Sequence, residues 1–548
     1  MTEKLIDLHS EKQTVKIIFP SRIVKAVGNV TGTENLKVPK ELVVTFHESR
    51  VATLTKEDDS PCYVLLDFGK ELHGGIRMVV PTATPKTVRL RLTFGESVAE
   101  ALSSIDEKNA TNDHSPRDFE VLASNLSTLD FGQTGFRFVK IELMEKGTIK
   151  FKNIVAINRL QDIERLGYIK TNDEMINKIL DTAVYTCHLN AQNGVIWDGI
   201  KRDRLVWAGD LNSEILTFLY AFGNIPNIKN SLAILRQTSP KNVWMNNIPT
   251  YSAWWLLNLC DYYLLSGDKE FFKENIDYAN YILEELDTCI STEGEMQFAK
   301  TGKPVGMEFY LDWASFQTPD APVGTATLLL YIMKKLKKLG FEELNADRIA
   351  SLEKKLDKYK DEAVEMKQTR AMQILCGGAK NGAAFMEKDG AKGFTTFMSY
   401  FLFNALYESG SKKCLDFVKE YYGGMLSRGA TSFWEDFDTS WLEGSGRIDE
   451  EPKEGEKDIH GDYGAFCYKG FRHSLCHGWS SGVVAFLVEK LVGLTVLEPG
   501  YKKIRIQPDL MGLESFEAII PTPMGVIEIS ANEKKIVKKI PKGIQLVD

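Results

Sequence analysis

The chain has 548 residues, 43% hydrophobic and 26% charged, with 75 acids against 67 bases and a formal net charge of −8. This composition excludes a disordered chain, and the acidic balance argues against a nucleic-acid binder with a strongly basic face. No apolar run reaches the roughly 18 residues of a membrane span, and at about 150 residues per domain the length suggests three or four domains.

The N-terminal stretch MTEKLIDLHSEKQTVKIIF is polar and charged. It lacks the continuous apolar core of a secretory signal, so a cytoplasmic protein is expected. Eight cysteines occur (Cys62, Cys187, Cys260, Cys289, Cys376, Cys414, Cys467 and Cys476), none spaced as CxxC. Buried reduced thiols are expected, and a zinc cage of the CxxC type is excluded.

Residues 1–165 read as β structure. The runs TVKIIF, ELVVTF, CYVLLDF, GIRMVV, TVRLRLTF and FRFVKIEL are rich in Val, Ile, Phe and Thr. PTATPK and FGQTG read as turns between them. Such strands predict a sandwich, with a long, partly mobile polar loop around residues 102–126.

From about residue 171 the period changes. TNDEMINKILDTAVYTCHLNAQ opens on a cap signal and carries apolar residues at helical spacing. Helices are also predicted at LNSEILTFLYAFG, TYSAWWLLNLCDYYLLSG, FKENIDYANYILEELDTCI, GTATLLLYIMKKLKKLG and NADRIASLEKKLDKYKDEAVEMK. FTTFMSYFLFNALYES, KKCLDFVKEYYGGML and SSGVVAFLVEKLVG complete about nine strong helices. Many are apolar on more than one side, as in the inner layer of a helical barrel. After residue 493 strands return at YKKIRIQP, FEAIIPTP, GVIEISA and KKIVKKIPKGIQLV. The division expected is 1–165 β-sandwich, 166–492 all-α catalytic domain and 493–548 small β domain.

The chemistry concentrates in a few segments. IWDGIKRDRLVWAGD holds Asp198, Asp203 and Asp210 beside Lys201, Arg202, Arg204, Trp197 and Trp207. Such a loop between helices can hold carboxylates in divided roles, because cations keep an acid ionised while burial or a second acid raises its pKa. A solvated, salt-bridged loop would have the same composition. TSFWEDFDTSWLEG brings Trp434, Glu435, Asp436, Asp438, Trp441 and Glu443 together. Indole faces stack on sugar rings while carboxylates bind hydroxyls or move protons; acids at a helix start are the bland alternative. FRHSLCHGWSSG carries His473, His477 and Trp479, and EFYLDWASF carries Glu308, Asp312 and Trp313. The histidines read as hydrogen-bonding core residues rather than metal ligands.

Glycoside hydrolysis needs two carboxyl groups flanking the scissile bond, about 6.5–9.5 Å apart in an inverting enzyme. Acids from two distant clusters can form such a pair only if the fold closes on itself, as a helical barrel does.

At these residues the sequence resembles the bacterial α-L-rhamnosidases of glycoside hydrolase family seventy-eight. Their central motif reads approximately DCPxRDERxGWxGD, with a shorter form DGIKRDRLVWxGD that this chain carries at Asp198–Asp210. RGATSFWEDFD (428–438) is similar to the family's GATTxWExxD stretch, and HSLCHGWSSG (473–482) to its SxxHGWSxG stretch. LVGLTVLEPGYKKIRIQPDL (491–510) and IPTPMGVIEIS (520–530) look like its C-terminal β segment. LDFGKELHGGI (66–76) and FGQTGFRFVKIEL (131–143) look like its N-terminal sandwich.

The resemblance implies an (α/α)6 barrel between β domains and an inverting mechanism without cofactor or metal. It places Asp203 where the general acid stands and Glu435 where the general base stands. It implies that Asp198 and Asp210 hold sugar hydroxyls at the −1 subsite. Arg202, Trp207, Trp255, Asp312, Trp313, Trp434, Trp441 and His477 are further candidates for lining that subsite. The chain departs from the longer motif, whose acid is the Glu of an Asp-Glu-Arg run; here the run is Arg202-Asp203-Arg204. Asp is one methylene shorter, so its backbone must approach the glycosidic oxygen more closely. To keep its proton near neutral pH, Asp203 would need burial or neighbouring carboxylates.

The substrate implied is a small glycoside or an oligosaccharide ending in α-L-rhamnose, with no nucleic-acid or membrane partner. Flavonoid and terpene glycosides are both candidates, and a homodimer fits an enzyme of this size. Two other readings stand beside this one. Another (α/α)-barrel enzyme would act on a different sugar or, as a lyase, release an absorbing unsaturated product. A silent carbohydrate-binding protein would bind glycans without turnover.

Overall fold

The computed structural model describes residues 12–379 and 381–548. The N-terminal segment read as lacking a signal core lies mostly outside them, at residues 1–11. The seven cysteines whose side chains are described are all buried free thiols.

The N-terminal part is two sheets around one apolar core. Its strands are β1 (Gln13–Ile18), β2 (Arg22–Val27), β3 (Asn29–Thr31), β4 (Ala52–Lys56), β5 (Tyr63–Val80), β6 (Thr82–Thr84), β7 (Thr87–Gly95), β8 (Asp118–Ser124), β9 (Ser127–Leu143), β10 (Gly147–Phe151) and β11 (Asn153–Gln161). The larger sheet runs β1-β11-β5-β9-β7-β8 with β2 also on β5, and the smaller runs β3-β4-β10-β6. Leu54, Val64, Leu66, Met78, Leu92 and Ile149 are among the buried side chains between them. Fully burying each contributes roughly 1.5–3 kcal/mol.

Three expectations for this region are corrected. CYVLLDF and GIRMVV belong to one strand, β5, which shifts register against β9 at Asp67/Leu72 and Gly74/Ile76. Gly74 has φ +145, and a Cβ there would stand 2.0 Å from the Ile157 carbonyl oxygen, so only glycine permits that approach. FGQTG is a stretch inside β9 rather than a turn. ELVVTF forms no strand: the Glu41 and Val43 carbonyls accept from the Asn153 and Lys152 side chains, and Val43 and Phe46 are exposed. Of the polar loop around 102–126, β8 takes the second half, and Arg117 pins the first by donating to the Phe94, Glu100 and Ser103 carbonyls.

Strand β12 (Tyr168–Thr171) leads into the helices. In chain order these follow a short α1 (Val98–Leu102) at the end of β7: α2 (Glu174–Asn190), α3 (Leu211–Ala221), α4 (Pro226–Thr238), α5 (Pro249–Ser266), α6 (Lys269–Cys289), α7 (Ala321–Leu339), α8 (Ala346–Leu356), α9 (Lys367–Leu375), α10 (Gly382–Glu387), α11 (Ser399–Glu408), α12 (Cys414–Ser427) and α13 (Val483–Lys490). The cap signals act as read. Asp173 accepts from the Met175 and Ile176 amides, and Asn345 from that of Arg348. The long helix expected over 345–367 breaks after Leu356, because Gln373 takes the Tyr359 and Glu362 carbonyls and Asp320 takes the Glu365 and Met366 amides. Helices α4, α9 and α10 carried no strong sequence signal.

The C-terminal strands Ser515–Thr522, Gly525–Asn532 and Lys535–Lys539 extend a sheet begun by β12. Helices and C-terminal sheet share one core, from Ile176 through Trp254 and Phe401 to Phe516 and Ile527. Among the described residues no helix is long and apolar enough to cross a membrane.

Candidate functional site

The acidic motif occupies the irregular stretch before α3. Asp198 closes it on itself: its N–H donates to the Leu205 carbonyl and its carboxylate accepts from the Leu205 N–H, both at 3.0 Å. Gly478 N–H donates to the Asp198 carbonyl at 2.8 Å, which ties the HGWSSG segment to the motif. Asp203 and Arg204 both have φ of +55, so the chain turns sharply between Arg202 and Leu205. This is where the motif is one residue shorter than the longer family form.

One guanidinium joins the two distant clusters. Arg202 Nη2 donates to Glu435 Oε1 at 2.5 Å, while its Nη1 stands 3.0 Å from Asp203 Oδ1. Its Nε donates to the Arg472 carbonyl at 2.8 Å, which fixes the plane of the fork. Arg202 and Glu435 are both buried. The second Glu435 oxygen accepts from the Ser474 N–H at 3.0 Å, and the Glu435 N–H donates to the Ser474 carbonyl at 2.9 Å. The Asp203 side chain is 21% exposed and lies 3.0 Å from His114 Nδ1, on the polar loop of the N-terminal part. The cations Arg202 and His114 therefore flank Asp203, with Asp198 as a neighbouring carboxylate.

Asp198, Asp210 and His477 form a buried cluster behind Glu435. His477 Nε2 lies 3.1 Å from Asp210 Oδ2, and its Nδ1 lies 3.8 Å from Glu435 Oε1. Burial opposes charge on His477, but Glu435, Asp210 and Asp198 outweigh it and raise its pKa. Burial raises Asp198 and Asp210 against the pull of His477, and it raises Glu214 beneath them with the two acids adding to the effect. These groups therefore share fewer negative charges than their number suggests. His473 is a buried hydrogen-bonding residue, with Nε2 accepting from the Asp436 N–H at 2.9 Å.

A cavity of about 290 Å³ opens beside Glu435. Asp312, Asp436, Trp313, Trp441, Phe466, Tyr468 and Trp479 line it together with Glu435. It thus has carboxylates on one wall and aromatic rings on the others, the mixture that suits a polyhydroxylated ring. Thr395 donates to Asp312.

Of the residues singled out in the sequence, Asp312, Trp313, Glu435 and Trp441 line this cavity. Trp207 packs edge-on against Tyr251, whose hydroxyl donates to Asp210 at 3.3 Å. Two indoles are elsewhere. Trp255 is fully buried on α5, donates to the Leu232 carbonyl and packs on Tyr278. Trp434 is fully buried against Phe437. Neither is brought to the cavity. Sequence reading missed His114, Thr395 and Tyr468, which lie outside any motif; Asp436 was visible in its acidic cluster.

Burial, with Asp312, Glu435 and Asp438 adding to it, pushes Asp436 up to about 7, and burial pushes Asp312 up to about 6. Both bind a proton more tightly folded than unfolded. Their neutral forms therefore stabilise the fold below the unfolded pKa near 4, and stability is lost as pH rises through 4 towards 6–7. Asp436→Asn is expected to match the parent at pH 4 and exceed it at pH 8 by up to about 4 kcal/mol. Urea midpoints at both pH values check this, and an equal difference at both would overturn it.

Two groups could offer ligand atoms to a metal: Asp198 with Asp210 and His477, and Glu96 with Glu100 and His460, in each case within 4.8 Å of one another. In the second the Lys201 ammonium already sits on the acid pair, 2.8 Å from Glu100 and 3.3 Å from Glu96. In the first the raised pKa of His477 favours a proton over a metal.

Residues 164–370 match the family model described as bacterial alpha-L-rhamnosidase 6 hairpin glycosidase domain. No curated protein matches the chain. Among solved structures it is similar to the GH78 family rhamnosidase of Bacillus sp. GL1, with TM-score 0.72 and 18% identity over 95% of this chain and 55% of that one. It is similar to the rhamnosidase from Klebsiella oxytoca with rhamnose bound, with TM-score 0.65 and 18% identity over 87% of this chain and 96% of that one. It is also similar to the Streptomyces avermitilis α-L-rhamnosidase complexed with L-rhamnose, with TM-score 0.70 and 14% identity over 98% of this chain and 50% of that one. The chain spans about half the length of the first and third, and nearly all of the second. At these identities the likeness is one of fold: a β-rich N-terminal part, a helical part and C-terminal sheets. The chain is thus related to the bacterial α-L-rhamnosidases of glycoside hydrolase family seventy-eight, with their six-hairpin glycosidase domain matched over residues 164–370.

Proposed function

We propose that the protein is an inverting glycosidase that releases terminal α-L-rhamnose from small glycosides or oligosaccharides. Its helices are read as an (α/α)6 barrel (166–492) between a β-sandwich (1–165) and a small β domain (493–548). The observation that carries the reading is the Arg202 fork, which joins Asp203 and Glu435 across 233 residues beside an aromatic cavity. Two carboxyl groups on neighbouring nitrogens of one guanidinium are about a guanidinium's width apart. That suits an inverting pair, whose carboxyls stand roughly 6.5–9.5 Å apart with a water between.

Asp203, in its protonated form, gives its proton to the leaving oxygen. Glu435 takes a proton from water as the water attacks the opposite face of the ring. Asp198 and Asp210 provide negative potential for the oxocarbenium-like state, tempered by His477. Trp313 and Trp441 offer faces to the sugar, and Asp312 offers a carboxyl to its hydroxyls. The cavity volume is that of one ring rather than a chain of them, which supports removal of a terminal sugar.

Hydrolysis of a panel of aryl glycosides, followed by NMR of the first-formed anomer, tests the reading. The α-L-rhamnoside should be the preferred substrate, with β-L-rhamnose appearing first. Preference for another sugar, α-rhamnose appearing first, or an unsaturated product would overturn it.

A further inference from the structure

The strip His473–Leu475 holds Glu435 from one side, and the N-terminal part holds that strip. Glu96, at the end of β7, accepts from the Leu475 N–H at 2.6 Å and from the Ser474 hydroxyl at 3.1 Å. The same Ser474 donates its N–H to Glu435 Oε2 at 3.0 Å. A second route runs through Lys201. Its ammonium lies 3.3 Å from Glu96 and 2.8 Å from Glu100, and it donates to the Phe471 and His473 carbonyls. Its chain neighbour is Arg202, which holds the other Glu435 oxygen. Glu96, Glu100 and Lys201 are all buried.

The arrangement is over-determined. The Glu96 N–H donates to the Glu100 carboxylate at 2.8 Å, and Ser97 Oγ meets His460 Nδ1 at 2.8 Å. His460 Nε2 in turn reaches the His473 carbonyl at 2.9 Å. Thus the β7–α1 corner grips 471–475 at four backbone groups: the Phe471 and His473 carbonyls, the Leu475 amide and, through Ser474, its own turn. A single anion at that corner, between a lysine and two donors of the strip, has little room to be replaced.

We propose that Glu96, supplied by the N-terminal β part, is a positioning residue for Glu435, acting through Ser474–Leu475 and through Lys201–Arg202. The inference rests on the reading of Glu435 as the group that activates water. Misplacing a reacting group by about 1 Å costs on the order of 10²-fold in rate.

The test compares the parent, Glu96→Ala, Glu96→Gln, Ser474→Ala and Glu435→Gln, each as the full chain. Glu96→Ala is expected to lower kcat for an aryl α-L-rhamnoside about 10²-fold while KM changes little, because the cavity walls are untouched. Glu96→Gln keeps one acceptor oxygen for the Leu475 N–H and should recover most of that loss. Amide deuterium exchange over 471–476 should rise in Glu96→Ala and return towards the parent in Glu96→Gln. If Glu96→Ala does not fold, Glu96→Gln and Ser474→Ala carry the test, with Ser474→Ala expected to lower kcat several-fold at unchanged KM. Parental kcat together with parental exchange in the Glu96 and Ser474 variants overturns the proposal. If Glu435→Gln is as active as the parent, the general-base reading fails instead, and the exchange measurement still decides whether Glu96 braces the strip.

Discussion

Glu435→Gln is expected to lower kcat for aryl α-L-rhamnosides by roughly 10³-fold, within the range that general acid–base groups contribute. Gln keeps the size and can still accept from the Ser474 N–H, so the strip that carries it stays in place. It cannot take the proton of the attacking water. Asp203→Asn should lose a comparable factor on substrates whose leaving group needs protonation. The two then separate by leaving group: a dinitrophenyl rhamnoside, which departs without a proton, should restore much of the Asp203→Asn rate and none of the Glu435→Gln rate. Activity within a few-fold of the parent in both variants would sink the assignment of both roles.

Arg202→Met is the second large effect. It leaves Glu435 buried beside Asp210 and His477 without its cation. Removing one partner of a buried ion pair costs about 3–5 kcal/mol. It also frees Asp203 from its only guanidinium contact in the motif, so kcat should fall together with the urea midpoint. Arg202→Lys separates the two losses. An ammonium restores the charge but is a point donor and cannot hold two carboxyl groups on adjacent nitrogens. Stability should largely return while kcat does not. A lysine variant with full activity would show that the fork geometry is unimportant.

Much of this was legible in the residues. Strands of the N-terminal part announced themselves where a hydrophobic face alternates, as in TVRLRLTF, which is β7 and the start of its turn. The failures have physical causes. ELVVTF has the composition of a strand, but its carbonyls are claimed by side chains of Lys152 and Asn153, more than 100 residues away. FGQTG looks like a turn because glycine permits one, yet β9 runs through it. Trp255 could not be placed because α5 is buried nearly all round; a helix without a polar face does not say which side meets a cavity. His114, Glu96 and Glu100 were invisible as site residues for a different reason. They belong to no local pattern and matter only because the end of β7 and the loop after it are folded against the motif.

The strand pair between Tyr168–Thr171 and Ser515–Thr522 joins the first turn of the helical part to its far end. Closing a loop of that length costs on the order of 5 kcal/mol of chain entropy, a cost met once and shared by every contact it encloses. The helices and the C-terminal sheet have a common core, and buried polar contacts from Glu96 and Lys201 fasten the N-terminal sheets to the same body. None of the three parts can therefore come apart without exposing apolar or charged groups of another. The molecule is built to melt in a single cooperative transition, and its catalytic groups are lost at that transition rather than before it.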